Sequence, residues 1–158
     1  MSDAIITSRA VGFAPEEIDL TASTRTARLK WAVVVNDALP AGRAVNAAVC
    51  VAAATSNAVT GILGDDAVDT DGQVHPGLPW AGCSILVADA AALRTIRDRA
   101  ASADGCFVAD MPAVAQQTRV YTDYLAAMKE TEVEYYAVSI IGPRNRVNKI
   151  VGGLPLMP

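Results

Sequence analysis

The sequence predicts an α/β fold: a single three-layer α/β/α domain built on a mixed four-stranded sheet. Three observations carry this reading. Short apolar runs rich in β-branched residues, residues 31–35 foremost, alternate with longer segments of helical period. The resulting order, β-α-β-α-β-α-β-α, puts helices on both faces of one sheet. Finally, the 158 residues are 52% apolar but only 5% aromatic, which suits layers packed through Ala and Val. A chain of this length buries a sizeable core in one domain.

Residues 1–29 mix polar and apolar side chains without a clean period. They are expected to form an N-terminal arm lying on the α/β domain of residues 30–158 or on a neighbouring subunit. Within the arm, Pro15-Glu16-Glu17-Ile18 predicts a short helical turn, with acidic residues at its positive end. The Ser/Thr-rich residues 21–26 predict a loop.

The organising stretch is residues 30–60. Trp31-Ala32-Val33-Val34-Val35 predicts a strand buried on both faces. Asn36 and Asp37 favour a turn, and Pro40 suits the first turn of a helix. From 44 to 54 the only polar side chain other than cysteine is Asn46, so this helix is expected to be covered all round. Its two stripes are Ala44, Ala47, Ala48, Val51 and Ala52, and Val49, Cys50 and Ala53.

Residues 60–81 carry four aspartates and two prolines and predict a long loop. Asp69-Thr70-Asp71-Gly72 matches part of a calcium loop, but Ala67 and Leu78 stand at its first and last ligand positions, so a turn is expected. Residues 84–88 predict a strand, Asp89 an N-cap, and residues 90–103 a helix with Leu93, Ile96 and Ala100 inward. Residues 106–109 predict a third strand ending at Asp110. Residues 113–118 and 122–129 predict helical pieces. There Tyr121, Tyr124, Leu125 and Met128 form an apolar stripe suited to core or subunit contact. Residues 134–141 predict the fourth strand, and residues 143–151 a last helix stopped by Gly152-Gly153.

Ligands of α/β sheets gather beyond the carboxyl ends of the strands, and helix N-termini favour anions. The turn after the first strand is therefore the candidate site. Arg43 and Asn46 project from one helical face, Gly42 allows close approach, and Asn36 and Asp37 are placed to orient a substrate. His75, the only histidine, is either a general base reaching over from the loop or a packing residue. Arg43 is likewise either an anion-holding group or a solvated charge.

Composition narrows the alternatives. The longest apolar run, 47–54, is too short to span a bilayer. No basic segment followed by an apolar core opens the chain, so no secretory signal is expected. Cys50, Cys83 and Cys106 are widely spaced, without a C-x-x-C pair. Buried thiols in a cytoplasmic, reducing setting are expected, with neither metal nor cofactor. The net charge is −4, which weighs against a tRNA-binding surface. No G-x-S-x-G or spaced-glycine dinucleotide motif is present.

Two stretches carry a family resemblance. Leu39, Gly42, Ala47, Ala48 and Cys50 match a strand–Asp-Leu–Gly-Lys-Gly-Lys–Ala-Ala-Gln-Cys-Ser-His-Ala pattern. Ile141-Gly142-Pro143, followed by 149–156, matches a Gly-Ile-Gly-Pro–helix–Gly-x-Leu-x-Leu pattern. These resemble the type 2 peptidyl-tRNA hydrolases. Residues 35–47 more closely resemble an uncharacterised bacterial branch of that fold, read as Val-Asn-Asp-x-Leu-Pro-Ala-Gly-x-Ala-x-Asn-Ala. The resemblance implies the three-layer fold, a homodimer, and hydrolysis at the helix start. In this chain Arg43 replaces the family's first lysine, and Asp110 is the remnant of its Asp motif. Val49 and Ala52 replace the family's Gln and His. Arg43 and Asp110 are thus the candidate catalytic pair, with Arg43 confined to charge stabilisation because it stays protonated. The alternative is a non-enzymatic dimer binding a small anionic ligand or a peptide.

Overall fold

The structure, a computed structural model, describes residues 10–158. The first nine residues of the expected arm lie outside the described residues. Two sheets and five α-helices follow one another along the described chain. Strand β1 (Leu29–Asn36) leads into α1 (Ala41–Ala58), a small hairpin of β2 (Ala67–Val68) and β3 (Val74–His75), and β4 (Ser84–Ala88). Helix α2 (Ala90–Ala101), β5 (Phe107–Pro112), α3 (Ala113–Gln117) and α4 (Tyr121–Met128) come next. Then β6 (Tyr135–Pro143) and α5 (Arg144–Val151) close the domain.

The main sheet has the order β4-β1-β6-β5. Strand β1 pairs parallel to β4, with Asn36 opposite Ala88, and antiparallel to β6, with Trp31 opposite Ile141. Strand β5 pairs antiparallel to β6 and slips register at Met111/Pro112. The carboxyl ends of β1, β4 and β5 therefore lie on one edge of the sheet. The outer side of β4 is covered by the C-terminal tail, because Val87 donates to the Pro155 carbonyl and Met157 to that of Ile85, both at 3.0 Å. This removes one open edge.

Alternation along β1 builds two cores. Trp31, Val33 and Val35 point toward α1, where Ala44, Ala47 and Val51 meet them. Ala32 and Val34 point the other way, against Leu93, Ile96 and Ala100 of α2 and Val147, Ile150 and Val151 of α5. Among the described residues helix α1 is the only long helix on its face, and its buried stripe is narrow: Ala44, Ala47, Val51 and Thr55. The helix is not covered all round. Val45 and Val49 are 58% and 60% exposed, because among the described residues no second helix flanks α1 on that side.

The same geometry corrects the expectation for the cysteines. All three are free thiols, but Cys50 and Cys83 are exposed and Cys106 is half-buried. Cys83 opens to solvent yet lies in an apolar groove wall with Pro79, Ile85 and Met157. Desolvation there pushes its thiol up to about 12. Cys106 fits against β6 because Gly142 lacks a side chain; a Cβ at that glycine would lie 2.5 Å from the Cys106 Sγ.

The arm's described part packs on the domain. Phe13 is buried in the α1-side core, its ring 4.8 Å from that of Trp80 and tilted 55° to it. Glu17 ties Arg28 through Oε1 at 2.5 Å and accepts from the Ala14 N–H at 2.7 Å. A Ser139 hydroxyl buried under α1 links Trp31 Nε1 at 2.8 Å to Thr55 Oγ1 at 2.7 Å. Residues 67–75 fold as a hairpin rather than a plain loop, and the Asp69-to-Gly72 stretch is its turn: Asp69 Oδ1 accepts from the Asp71 and Gln73 N–H groups, each at 2.9 Å.

Candidate functional site

The turn after β1 closes on itself. Asn36 is buried, and its Oδ1 accepts from the Ala38 N–H at 2.9 Å, so its side chain shapes the turn. The Asp37 N–H donates to the Ala88 carbonyl at 3.0 Å, fastening the turn to the end of β4, while its carboxylate faces solvent. Gly42 is exposed, and a Cβ built there would meet nothing within 4 Å. Its lack of a side chain therefore makes no room for another part of the chain.

Arg43 and Asn46 do share the opening turns of α1, both exposed. What meets them is Gln116 of α3. Its Nε2 donates to the Arg43 carbonyl at 2.9 Å and to Asn46 Oδ1 at 3.1 Å. Its Oε1 is enclosed without a hydrogen-bond partner among the described residues. Gln116 thus clamps α3 onto the start of α1 and occupies the Asn46 carbonyl. Nothing in the sequence around Gln116 marks it, since the contact joins residues 70 positions apart.

Asp110 lies elsewhere. On β5, Phe107, Ala109 and Met111 face α1, whereas Val108 joins the core on the α2 side. Asp110 alternates with Met111 and pairs with Arg97 of α2, Oδ2 to Nε at 3.3 Å. The guanidinium of Arg97 also stands 5.8 Å over the Tyr135 ring. The carboxylate of Asp110 is thus engaged by Arg97, and the residue also lines the cleft between α1 and α4. Among the described residues no hydrogen bond joins it to Arg43 or Asn46, and the two candidate catalytic side chains do not meet. His75 stands on the separate hairpin, its Nε2 3.0 Å from Asp69 Oδ2. That hydrogen bond, with the N–H groups of Gln73 and Asp71, holds Asp69 below the usual carboxylate range.

A cleft of about 510 Å³ opens between α1 and α4. Cys50, Ala53 and Ala54 form one wall, Asp110, Met111 and Pro112 at the end of β5 form the floor, and Arg119, Tyr121 and Tyr124 form the other wall. The two tyrosine rings meet edge to face at 5.4 Å, a favoured aromatic geometry. Burial, then the neighbouring Tyr121 and Asp110, raise the Tyr124 phenol above its ordinary value, so it remains a hydrogen-bond donor. Arg119 makes no ion pair among the described residues. Helix α4 buries none of its residues, and Tyr121 is 73% exposed.

A family described as protein of unknown function (DUF2000) matches residues 29–158. The chain belongs to this family. The matched span starts at the first residue of β1, so the DUF2000 domain includes every candidate residue named above and leaves out the arm through residue 28. A solved structure of a protein of unknown function from Agrobacterium tumefaciens strain C58 is similar, with a TM-score of 0.74 at 20% identity. The likeness covers 83% of this chain and 98% of that one. It establishes the DUF2000 fold as one seen in a solved protein. Among the curated proteins compared, none matches. Among the described residues, no helix is long and apolar enough to cross a membrane.

Proposed function

We propose that this DUF2000 protein is a non-enzymatic binding module whose α1–α4 cleft takes a small molecule with a flat apolar body and an anionic end. The observation that carries this is the pairing, in one cleft of about 510 Å³, of an edge-to-face tyrosine wall with the cation of Arg119. That volume lies within the range of ordinary ligand pockets, which are mostly apolar with a few placed polar groups. The Ala53, Ala54 and Met111 surfaces receive the body, and Arg119 and the Tyr124 hydroxyl receive the charge. Binding is favoured over hydrolysis because Asp110 is engaged by Arg97 and His75 by Asp69. Arg43 stays protonated and serves as no base.

The likeness to type 2 peptidyl-tRNA hydrolases is proposed for the fold, on the motifs at 39–50 and 141–156, and not for the reaction. A homodimer is proposed on the exposed Val45, Val49, Tyr121 and Leu125, and a reducing cytoplasmic setting on the three free thiols. Calorimetric titration with a panel of aromatic carboxylates tests the cleft. At least one member is expected to bind, and Arg119→Ala to weaken it roughly tenfold or more, as for loss of a charge-assisted hydrogen bond. Failure of the whole panel, or affinity indifferent to Arg119→Ala, overturns the cleft. Release of peptide from peptidyl-tRNA that is lost in Arg43→Ala overturns the non-enzymatic reading.

A further inference from the structure

At the opposite edge of the sheet, where β1 and β4 begin, three cationic residues from distant parts of the chain line one small pocket of about 230 Å³. Arg25 comes from the arm, Lys30 from β1, and Arg144 from the first turn of α5. No Asp or Glu among the described residues lines it; the remaining polar side chains are Thr24, Ser84 and Cys83. In a chain of net charge −4, such a grouping is locally positive potential, which a recess in the low-dielectric surface concentrates.

Two of the three cations are held by hydrogen bonds. Lys30 Nζ donates to Asn148 Oδ1 at 2.6 Å. Arg144 donates from Nε at 3.2 Å and from Nη2 at 3.0 Å to the Ala27 carbonyl, which fastens the arm to α5. The guanidinium of Arg25 has no hydrogen-bond or ion-pair partner among the described residues. Gly82 supplies the turn that brings Cys83 and Ser84 to the pocket: its φ is +73°, and Thr24 of the arm lies against it. The arm therefore forms a wall of the pocket.

We propose that this pocket is an anion site for a small soluble phosphate monoester, distinct from the α1–α4 cleft and completed by the arm. Fork-shaped Arg groups and a Lys point charge suit the three terminal oxygens of a phosphate group. The hydroxyls of Thr24 and Ser84 add neutral donors. The pocket's size admits a phosphate with a short body and excludes a large ligand. No glycine-rich phosphate loop precedes it, so no motif marks it in the sequence; the arm, one strand and one helix start meet there only in the fold.

The test is calorimetric titration of the full chain, at low salt, with inorganic phosphate and with glycerol phosphate. Saturable binding is expected to one or both. Arg25→Ala, which removes no hydrogen bond or ion pair of a side chain among the described residues, should weaken binding roughly ten- to hundredfold, the loss expected for one charge-assisted hydrogen bond. Lys30→Met should weaken it further, and Arg119→Ala in the other cleft should leave it unchanged. Absence of saturable binding by both probes overturns the proposal, as does affinity indifferent to Arg25→Ala and Lys30→Met. Binding only to vesicles containing phosphatidic acid, with no soluble probe bound, also overturns it in favour of a membrane surface.

Discussion

Replacing Ser139 by alanine isolates the polar chain buried beneath α1. Its hydrogens have one consistent assignment. Trp31 Nε1–H donates to Ser139 Oγ at 2.8 Å, the Ser139 hydroxyl donates to Thr55 Oγ1 at 2.7 Å, and the Thr55 hydroxyl donates to the Val51 carbonyl at 2.7 Å. Both Ser139 and Thr55 are 0% exposed, so no water substitutes. Ser139→Ala leaves the Thr55–Val51 bond in place but orphans the indole N–H. An unpaired buried donor costs about 1–3 kcal/mol. At about 2–4 °C per kcal/mol for a chain of this size, the melting temperature falls by about 2–12 °C. Urea unfolding of four proteins measures it: wild type, Ser139→Ala, Trp31→Phe and the double variant. With the indole donor already gone, Ser139→Ala should cost less than about 1 kcal/mol, because no partner is left stranded. An equal cost in both backgrounds would refute the assigned chain of donors.

Other predictions follow from single contacts. Arg28, then the Ala14 N–H, lower Glu17 from 4.5 to about 2. Because the folded value is the depressed one, this pairing stabilises the arm fully above about pH 4.5 and is lost as pH falls toward 2. Carboxyl NMR should find Glu17 titrating near the lower value, with the Trp80 indole resonance moving in step; titration near the ordinary value would contradict the pairing. Asp89 accepts from the Ala92 N–H at 2.8 Å at the start of α2. Asp89→Ala should lower unfolding stability by about 1 kcal/mol, and Asp89→Asn by much less. Equal losses in chemical denaturation would assign the effect to charge instead of to the cap.

The elements that the sequence marks clearly are those where local chemistry and packing agree. Residues 84–88 are an apolar run ended by a capping aspartate, and the strand has those same bounds. Helix α1 runs on to Ala58 because the Thr55 hydroxyl bonds back to Val51 and so tolerates burial. Strand β5 runs through Asp110, where a polar residue suggested an end, because Arg97 neutralises the carboxylate at the sheet's rim. The hairpin around Asp69 escaped notice because two-residue strands have no period to detect.

The site was less legible than the fold. An all-apolar helix does not say which side meets the sheet. Small Ala44 and Ala47 turned inward and left Val45 and Val49 outward. Tyr121 and Tyr124 were visible as a stripe, but their role as a cleft wall depends on where α4 lies relative to α1. Gln116 and Arg119 carry no local signature. Their neighbours on α1 are some 70 residues away in the chain and close only through the sheet.

The central claim is that a ligand enters between α1 and α4. NMR mapping of the carboxylate that binds most tightly tests it most directly, by following the ring resonances of Tyr121 and Tyr124 and the side-chain amides of Asn46 and Gln116. The account predicts ring shifts in wild type that shrink in Arg119→Ala, with the Gln116 amide shifting less. Shifts centred on Gly42 and Arg43 with the tyrosine rings unmoved, or no saturable shift at all, would contradict it.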